Sequence, residues 1–237
     1  MHSPYGLDII EHCDSCHGHA GRGFCDLPDE TRRALDAVKF TTLYPRGALL
    51  FVEGQPARGV YILCTGRVKL TATSRDARAI ITRIARCGEI LGLSASLSGQ
   101  PYEVTAETLE PAQVNFIRRD EFQRVLATHP EASLRAAVQL GRNYSAALEQ
   151  VRMLGLSHSA AAKLARFLLE AGDTGEGGRE DRLKLALTHE EIGQLIGASR
   201  ETVTRLFSEF KQENLIRVEG ATLLLNDRAA LEARARR

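Results

Sequence analysis

The 237-residue sequence lacks any apolar segment close to the ~20 residues that a membrane-spanning helix needs. It also lacks the basic-then-apolar N-terminal pattern of a signal peptide, so we expect a cytoplasmic protein with no membrane partner. A bulk excess of positive charge is missing too, because the formal net charge is only +1. Any binding of nucleic acid must therefore depend on how charges are arranged locally.

The sequence also lacks an even number of cysteines. Five cysteines in such a chain argue against a disulfide framework and favour metal or redox chemistry. A hydrophobic content of 43% and a charged content of 26% are ordinary for a globular protein, and the length allows two domains with separate cores. No Ser/His/Asp or Cys/His group sits in a recognisable nucleophile context, so we do not expect an enzyme.

The most specific pattern in the chain occupies residues 188–206 and predicts two short helices separated by a tight turn. Thr188 and Glu191 have the spacing of a capping box at the start of the first helix. Gly197 stands where a C-cap glycine is usual, and Ser199 can cap the second helix. This arrangement predicts a helix-turn-helix, a motif that binds DNA.

The second helix of this motif has two contrasting sides. Its apolar arc contains Val203, Leu206, Phe207 and Phe210. Its polar arc contains Arg200, Glu201, Thr204, Arg205 and Ser208. Arginine can bind guanine with two hydrogen bonds and a carboxylate can accept one from cytosine, so the polar arc suits the DNA major groove. We expect phosphate contacts at the helix N-termini, where Thr188 and Ser199 lie, and the one-turn spacing of Glu201 and Arg205 allows an ion pair between them.

Short β-rich segments fill the region between residues 38 and 117. They are separated by glycine-containing turns at near-regular spacing, which predicts a closed or double-layered β structure. The predicted strands cover residues 38–44, 48–52, 59–64, 67–71, 79–85, 102–108 and 113–117. A short helix is predicted over 27–35. A strand at 182–187 and a hairpin at 215–225 flank the two-helix motif and predict a winged helix-turn-helix.

A long amphipathic helix is predicted from residue 130 to residue 155. Its a/d positions are Ala137, Leu140, Tyr144, Ala147, Val151 and Leu154. A second apolar row contains Leu134, Val138 and Leu148. Two apolar rows allow the helix to pack on its own domain and on a second copy of the chain, although packing on its own domain alone is an alternative. A dimer would place two DNA-reading helices on a palindromic site.

The N-terminal residues 12–25 contain three cysteines and three histidines. Thiolates at such spacing can close around one metal ion or cluster. An iron–sulfur cluster on Cys13, Cys16 and Cys25 needs a fourth ligand. Zinc bound by two or three of these thiolates and a histidine is a second interpretation, and a tail with idle thiols is a third.

Two parts of the chain resemble one protein family. Gln194, residues 199–203 and Arg205 are similar to the DNA-binding motif of the cyclic-AMP receptor protein/fumarate-nitrate regulator (CRP/FNR) family. The turns at Gly47, 53–54, Gly66 and 88–89 resemble those of its cyclic-nucleotide-binding β-roll, or jelly roll. The resemblance covers residues 27–227. It implies that Arg200, Glu201 and Arg205 read base edges.

The family's ligand-binding residues are not reproduced. In the cyclic-AMP-binding branch a carboxylate binds the ribose hydroxyl, and an arginine within an Arg-Ser pair binds the cyclic phosphate. Here residues 92–94 read Gly-Leu-Ser without a carboxylate, and Tyr102-Glu103 stands where Arg-Ser is expected. Because a glutamate repels a cyclic phosphate, we do not expect this chain to bind cyclic AMP.

The cysteine segment is similar to another branch of the family. The fumarate-nitrate regulator branch holds an oxygen-sensitive [4Fe–4S] cluster on N-terminal cysteines. The gap from Cys16 to Cys25 is longer here, and the strand of that branch's fourth cysteine, residues 112–116, contains no thiol. We therefore select Cys87, in a predicted loop, as the fourth ligand, and interpret Cys64 as a small buried apolar residue.

The sequence as a whole predicts an α+β protein. We expect a cysteine-rich extension over 1–26, a β-roll sensor domain over 27–129, a dimerisation helix over 130–155 and a winged helix-turn-helix over 156–237. The expected function is a homodimeric transcription regulator that senses redox state, oxygen or nitric oxide and acts with RNA polymerase on a palindromic operator. The alternative is a regulator of the same type gated by another small ligand, with inert or zinc-binding cysteines.

Overall fold

The computed structural model describes residues 5–7, 9–13, 23–156, 159–173, 182–184, 187–220 and 222–236. The chain divides into two compact units, Met1–Ala147 and Leu148–Arg237. The boundary between them falls inside one long helix, α4 (Pro130–Leu156). No helix in the described ranges is long and apolar enough to cross a membrane.

Two four-stranded antiparallel sheets form the N-terminal unit. One has the order β1-β8-β3-β6 and the other β2-β7-β4-β5. The strands are β1 (Lys39–Tyr44), β2 (Leu49–Phe51), β3 (Gly59–Thr65), β4 (Val68–Thr73), β5 (Ala79–Ala85), β6 (Ile90–Leu91), β7 (Thr105–Thr108) and β8 (Ala112–Arg118). The double-layered β structure is therefore confirmed. The predicted strand at 102–108 begins only at Thr105. Before it, the Tyr102 amide donates to the Gln55 carbonyl outside the β7 ladder, and the Tyr102 ring stacks on Phe51.

The helices of this unit cover one sheet. They are α1 (Asp29–Val38), α2 (Leu93–Ser98), α3 (Arg119–Thr128) and the first part of α4, and a 3-10 turn (Gly23–Cys25) precedes them. On β3, Ile62 packs with helical residues such as Leu35 and Phe122, while Leu63 packs in the core between the two sheets. Burial on both faces explains why this strand is a continuous apolar run. The sequence pattern does not predict β6, α2 or α3.

The C-terminal unit contains α5 (Ala160–Asp173), β9 (Arg182–Lys184), α6 (His189–Ile196), α7 (Arg200–Gln212), β10 (Ile216–Glu219), β11 (Thr222–Leu225) and α8 (Arg228–Ala235). Its three strands pair in the order β10-β11-β9. This is the winged helix-turn-helix that the sequence predicts. The observed β9 is shorter than the predicted strand at 182–187, part of which lies outside the described residues.

Candidate functional site

The turn between α6 and α7 is built by local hydrogen bonds. Thr188 Oγ1 accepts from the Glu191 amide at 3.2 Å, and the Glu191 carboxylate accepts from the Thr188 amide at 2.8 Å, which completes the predicted capping box. Gly197 ends α6 with a left-handed φ of 67°, and Ser199 caps α7 by accepting from the Thr202 amide at 3.2 Å. A side chain at Gly193 would meet the Ala198 carbonyl oxygen at 2.5 Å, so the close approach in the turn requires glycine there.

Helix α7 has a buried side and an exposed side, as its pattern predicts. The buried side chains are Val203, Leu206, Phe207 and Phe210, which are at most 5% exposed. The exposed ones are Arg200, Glu201, Thr204, Arg205 and Ser208. The caps Thr188 and Ser199 are exposed as well. The structure therefore brings together all six predicted DNA-binding residues at the surface of the same motif.

The ion pair on α7 differs from the expected one. Arg205 approaches Glu209, one turn towards the C-terminus, with 3.8 Å between Nη1 and the carboxylate. Glu201 stays in the first turn, where hydrogen bonds from its own backbone amide and from the Ser199 side chain lower the pKa of its carboxyl. Because a carboxylate is stabilised by the free amides of a helix N-terminus, the Glu201 carboxylate is stabilised without an ion pair to Arg205. The Arg205 side chain remains 70% exposed and able to reach outward.

His189, at the start of α6, contacts one residue on each side of α7. Its ring stacks on Phe207 with 4.7 Å between centroids, and Nδ1 lies 2.9 Å from the Thr204 hydroxyl. Burial, followed by the charges of Lys211 and Arg200, lowers the pKa of this histidine from its usual 6.5. Neutral His189 therefore holds the first helix against the second, a contact that the sequence analysis missed.

Helix α4 exposes apolar side chains along its length. Tyr144 is 67% exposed and Val151 66% exposed, and Leu134, Val138 and Leu148 are exposed too. Among the predicted interface residues, Ala137 and Ala147 are exposed and Leu140 and Leu154 half-buried. A row of large uncovered apolar side chains on one helix is typical of an interface between protein chains.

The opposite side of α4 is attached to the β-roll by a buried amide. Gln139 donates from Nε2 to the Ile90 carbonyl at 2.6 Å and accepts from the Ile90 amide through Oε1 at 3.0 Å. Gln139 is 8% exposed and Ile90 is 1% exposed. In the part of the chain that the structure describes, the short β6 is the edge strand of its sheet. The Gln139 side chain therefore pairs with the outer backbone groups of β6, as a neighbouring strand would.

The described part of the N-terminal extension is held on the β-roll by side chains of the roll. Gln113, which is fully buried, pairs with both backbone groups of Ile10 at 2.7 and 2.9 Å. Asp36 accepts from the Cys13 amide at 3.1 Å and contacts His12 and Lys39. Burial alone would raise the pKa of Asp36, but the hydrogen bonds from Lys39, Cys13 and His12 lower it to about 2.

Three thiols line one small cavity beneath this extension. Its volume is about 30 Å³, and its walls include Cys13, Cys25 and Cys64. Cys87 lines a different cavity, between the roll and α4, and its thiol donates to the Cys64 carbonyl at 2.6 Å. Burial first, and then the neighbouring Cys25, Cys13 and Cys87, raise the pKa of the Cys64 thiol. Cys16 lies outside the described residues.

The donor set of this cavity suits a thiolate-bound metal centre, but a finished site is not formed. Soft thiolates are the ligands of zinc and of iron–sulfur clusters. Among the described residues, no group of three or more Cys, His, Asp or Glu side chains is arranged to hold a metal ion. A cavity of about 30 Å³ is only two to three times the ~10–15 Å³ that one water molecule needs, so a cluster requires the cavity to widen. A site that forms only with its metal is common in small metal-binding segments.

A larger cavity of about 420 Å³ lies inside the β-roll and against α4. Its lining includes Phe51, Arg83, Ser94, Glu103 and Tyr144. The Arg83 guanidinium is paired with the Glu89 carboxylate. The cavity therefore has a carboxylate, Glu103, while its arginine is already engaged.

Two family models match the chain. Residues 41–129 match the cyclic nucleotide-binding domain, and residues 162–234 match the Crp-like helix-turn-helix domain. Among curated proteins, a CRP-like cAMP-activated global transcriptional regulator of Mycobacterium tuberculosis is 32% identical over 196 residues, which cover 81% of this chain and 87% of that protein. The transcriptional regulatory protein btr of Bordetella pertussis is 29% identical over 224 residues, or 93% and 92% of the two chains.

Solved structures share the fold. FixK2 from Bradyrhizobium japonicum matches with a TM-score of 0.73 at 22% identity and covers 83% of this chain and 96% of its own. A CRP-family transcriptional regulator from Thermus thermophilus matches with a TM-score of 0.69 at 27% identity, covering 83% and 97%. Together with the capped two-helix motif, the wing and the β-roll, these similarities show that the chain is a DNA-binding transcriptional regulator of the CRP/FNR family.

Proposed function

We propose that two copies of this chain bind a palindromic DNA site with α7 of each copy in the major groove. Arg200, Glu201 and Arg205 read base edges, and Thr204 lies beside them. Thr188 and Ser199 contact phosphates at the N-termini of α6 and α7. The observation that carries this proposal is the division of α7: its apolar side is buried in its own domain, and its polar side is exposed and available to DNA.

Dimerisation through α4 is the second part of the proposal. The exposed Tyr144 and Val151, with the alanines on the same helix, supply an apolar surface that a second α4 would cover. A symmetric pair presents two α7 helices to a duplex, and the half-site spacing then follows from the two-fold axis. We further propose that the dimer acts in the cytoplasm and contacts RNA polymerase when it regulates transcription.

Selection of duplexes from a random pool tests this proposal. The bound pool should be enriched for an inverted repeat whose half-site centres lie about one helical turn, or about 10–10.5 base pairs, apart. Sedimentation of the complex should show two chains per duplex. A pool without a shared sequence, or a single asymmetric half-site bound by one chain, would refute it.

We also propose that the N-terminal cysteines hold an iron–sulfur cluster, with zinc as the alternative metal. The support is the position of Cys13 and Cys25 on one cavity wall, and the hydrogen bonds that hold the extension on the roll. A bound cluster would supply reactivity towards oxygen or nitric oxide. Asp36 and Gln113 then orient the segment that contains Cys13, and Lys39, 3.8 Å from the Cys13 sulfur, offsets negative charge on the thiolates.

Anaerobic purification followed by iron, acid-labile sulfide and zinc analysis tests the sensor proposal. We expect iron and sulfide in equal amounts per chain and visible absorption that is lost in air. Stoichiometric zinc without sulfide would support the alternative metal and refute iron–sulfur sensing.

For the roll cavity we propose that cyclic AMP is not the effector. Glu103 lines this cavity, and the Arg83 guanidinium, which also lines it, is paired with Glu89. Binding would bring two negative groups together without a free cation from this arginine. Calorimetric titration with cyclic AMP should show no binding, and saturable binding at micromolar concentration would contradict this.

A further inference from the structure

Thr204 stands among the exposed polar residues of α7, and its hydroxyl has two partners within the protein. The hydroxyl donates to the Arg200 carbonyl, one turn earlier in the helix, across 2.9 Å. The same oxygen lies 2.9 Å from Nδ1 of His189 on α6. A hydroxyl group has one hydrogen to donate and two lone pairs with which to accept. The Thr204 hydroxyl therefore has no second hydrogen for a partner outside the protein.

The His189 ring is fixed at the place where it meets this hydroxyl. It stacks on the Phe207 ring, with 4.7 Å between centroids and 23° between the planes. Because Phe207 is only 5% exposed, the histidine rests on a side chain that belongs to the core of its domain. His189 is also the first residue of α6 and follows Thr188, whose capping box fixes the start of that helix. Stacking and capping together hold Nδ1 against Thr204.

The direction of the Thr204 hydroxyl does not depend on which nitrogen of His189 carries the proton. When Nδ1 is protonated, it donates to the Thr204 oxygen, and the hydroxyl hydrogen goes to the Arg200 carbonyl. When Nδ1 is unprotonated, both neighbours of the hydroxyl are acceptors, and its hydrogen goes to one of them. In each case the hydrogen stays within the protein. Thr204 can therefore accept a hydrogen bond from an external partner but cannot donate one.

We propose that Thr204 reads an exocyclic amino group of DNA and that His189 is the residue that positions it to do so. In the major groove cytosine presents its N4 amino group and adenine its N6 amino group, whereas guanine O6 and thymine O4 only accept. A hydroxyl that only accepts therefore favours cytosine or adenine at the base it faces. This inference rests on the proposed placement of α7 in the major groove. It adds a fourth base-reading residue to Arg200, Glu201 and Arg205.

Substitution of Thr204 in the full-length chain tests the acceptor role. Wild type, Thr204→Val and Thr204→Ser each select duplexes from the same random pool, and base frequencies are compared position by position. Valine keeps the branched shape without the hydroxyl, so we expect the preference for cytosine or adenine at one position of each half-site to fall by about two- to tenfold, the range of one hydrogen bond. Thr204→Ser keeps the hydroxyl and should keep the preference. An unchanged profile in Thr204→Val, or a lost preference for guanine or thymine, would overturn the inference.

Two substitutions of His189 separate its positioning role from structural support. Phenylalanine can stack on Phe207 but cannot hydrogen bond with Thr204, whereas asparagine places a polar atom at the position of Nδ1 but cannot stack. We expect His189→Phe to weaken the preference at the Thr204 position while the unfolding midpoint changes little. His189→Asn should lower the midpoint and keep the preference.

Combining the substitutions shows whether the two residues act together. In the Thr204→Val background, His189→Phe should have no further effect on base preference. A His189→Phe single variant with the wild-type preference would overturn the role assigned to His189. A wild type that selects no shared sequence would instead refute the proposed placement of α7 in the major groove.

Discussion

Replacing Gln139 with methionine should weaken the attachment of α4 to the β-roll. Methionine has a similar length but cannot hydrogen bond with the backbone of Ile90, whose amide and carbonyl lie 3.0 and 2.6 Å from the glutamine. Ile90 is 1% exposed, so water cannot replace the lost partners without opening the site. With a cost of about 1–2 kcal/mol for each unsatisfied group, we expect the free energy of unfolding to fall by about 2–4 kcal/mol.

Tyrosine fluorescence measures this loss of stability in the N-terminal unit, which contains Gln139. The chain has no tryptophan, and its five tyrosines all lie before residue 148, so urea titration followed by tyrosine emission reports on the N-terminal unit. The matched control is Asn143→Leu, one turn away on α4 at a half-buried position, for which we expect a change within about 0.5 kcal/mol. A Gln139→Met variant as stable as this control would refute the idea that the amide pair holds the helix.

Three further predictions concern other parts of the molecule. Asp36→Asn should speed hydrogen exchange of the Cys13 amide at neutral pH, and unchanged exchange in the variant would count against the docking role of Asp36. The folded-state pKa of Asp36 is depressed to about 2. The stabilising contribution of Asp36 in the wild type is therefore present above about pH 4 and lost as the pH falls towards 2. His189 should titrate by NMR below 6.5, and a pKa at or above 6.5 would contradict the stacked geometry. Because the folded-state pKa of His189 is lowered, the C-terminal unit should lose stability as the pH falls through 6.5. Tyr144→Asp should convert the dimer to monomer in sedimentation, whereas Glu149→Gln on the same helix should leave it dimeric; a dimeric Tyr144→Asp would place the interface elsewhere.

The DNA-binding motif could be predicted from the sequence because its signals are local. The capping box of Thr188 and Glu191, the left-handed Gly197 and the Ser199 cap each involve residues within a few positions of one another. The apolar arc of α7 likewise follows from helical periodicity alone. The ion pair of Arg205 could not be predicted, because Glu201 and Glu209 are equally spaced from it and local hydrogen bonds of Glu201 favour Glu209.

The residues that the sequence analysis missed in the N-terminal unit act over long sequence separations. Gln139 pairs with a backbone 49 positions away, and Gln113 with one 103 positions away. A glutamine in a helix or strand does not by itself indicate that its side chain pairs with a buried backbone group. Cys64 has the appearance of a small apolar residue within β3, and only the docked extension shows that it shares a cavity with Cys13 and Cys25.

The most direct test of the account compares binding of one selected duplex by wild type, Arg205→Ala and Arg166→Ala at fixed salt. Arg166 is an exposed arginine of the same unit on α5, where it pairs with Glu170, and it serves as the charge-matched control. We predict that Arg205→Ala weakens binding to the selected site by about 1–3 kcal/mol and relaxes preference at one base pair of each half-site, while Arg166→Ala changes neither. Wild-type affinity and sequence preference in Arg205→Ala would contradict the assignment of α7 as the reading helix.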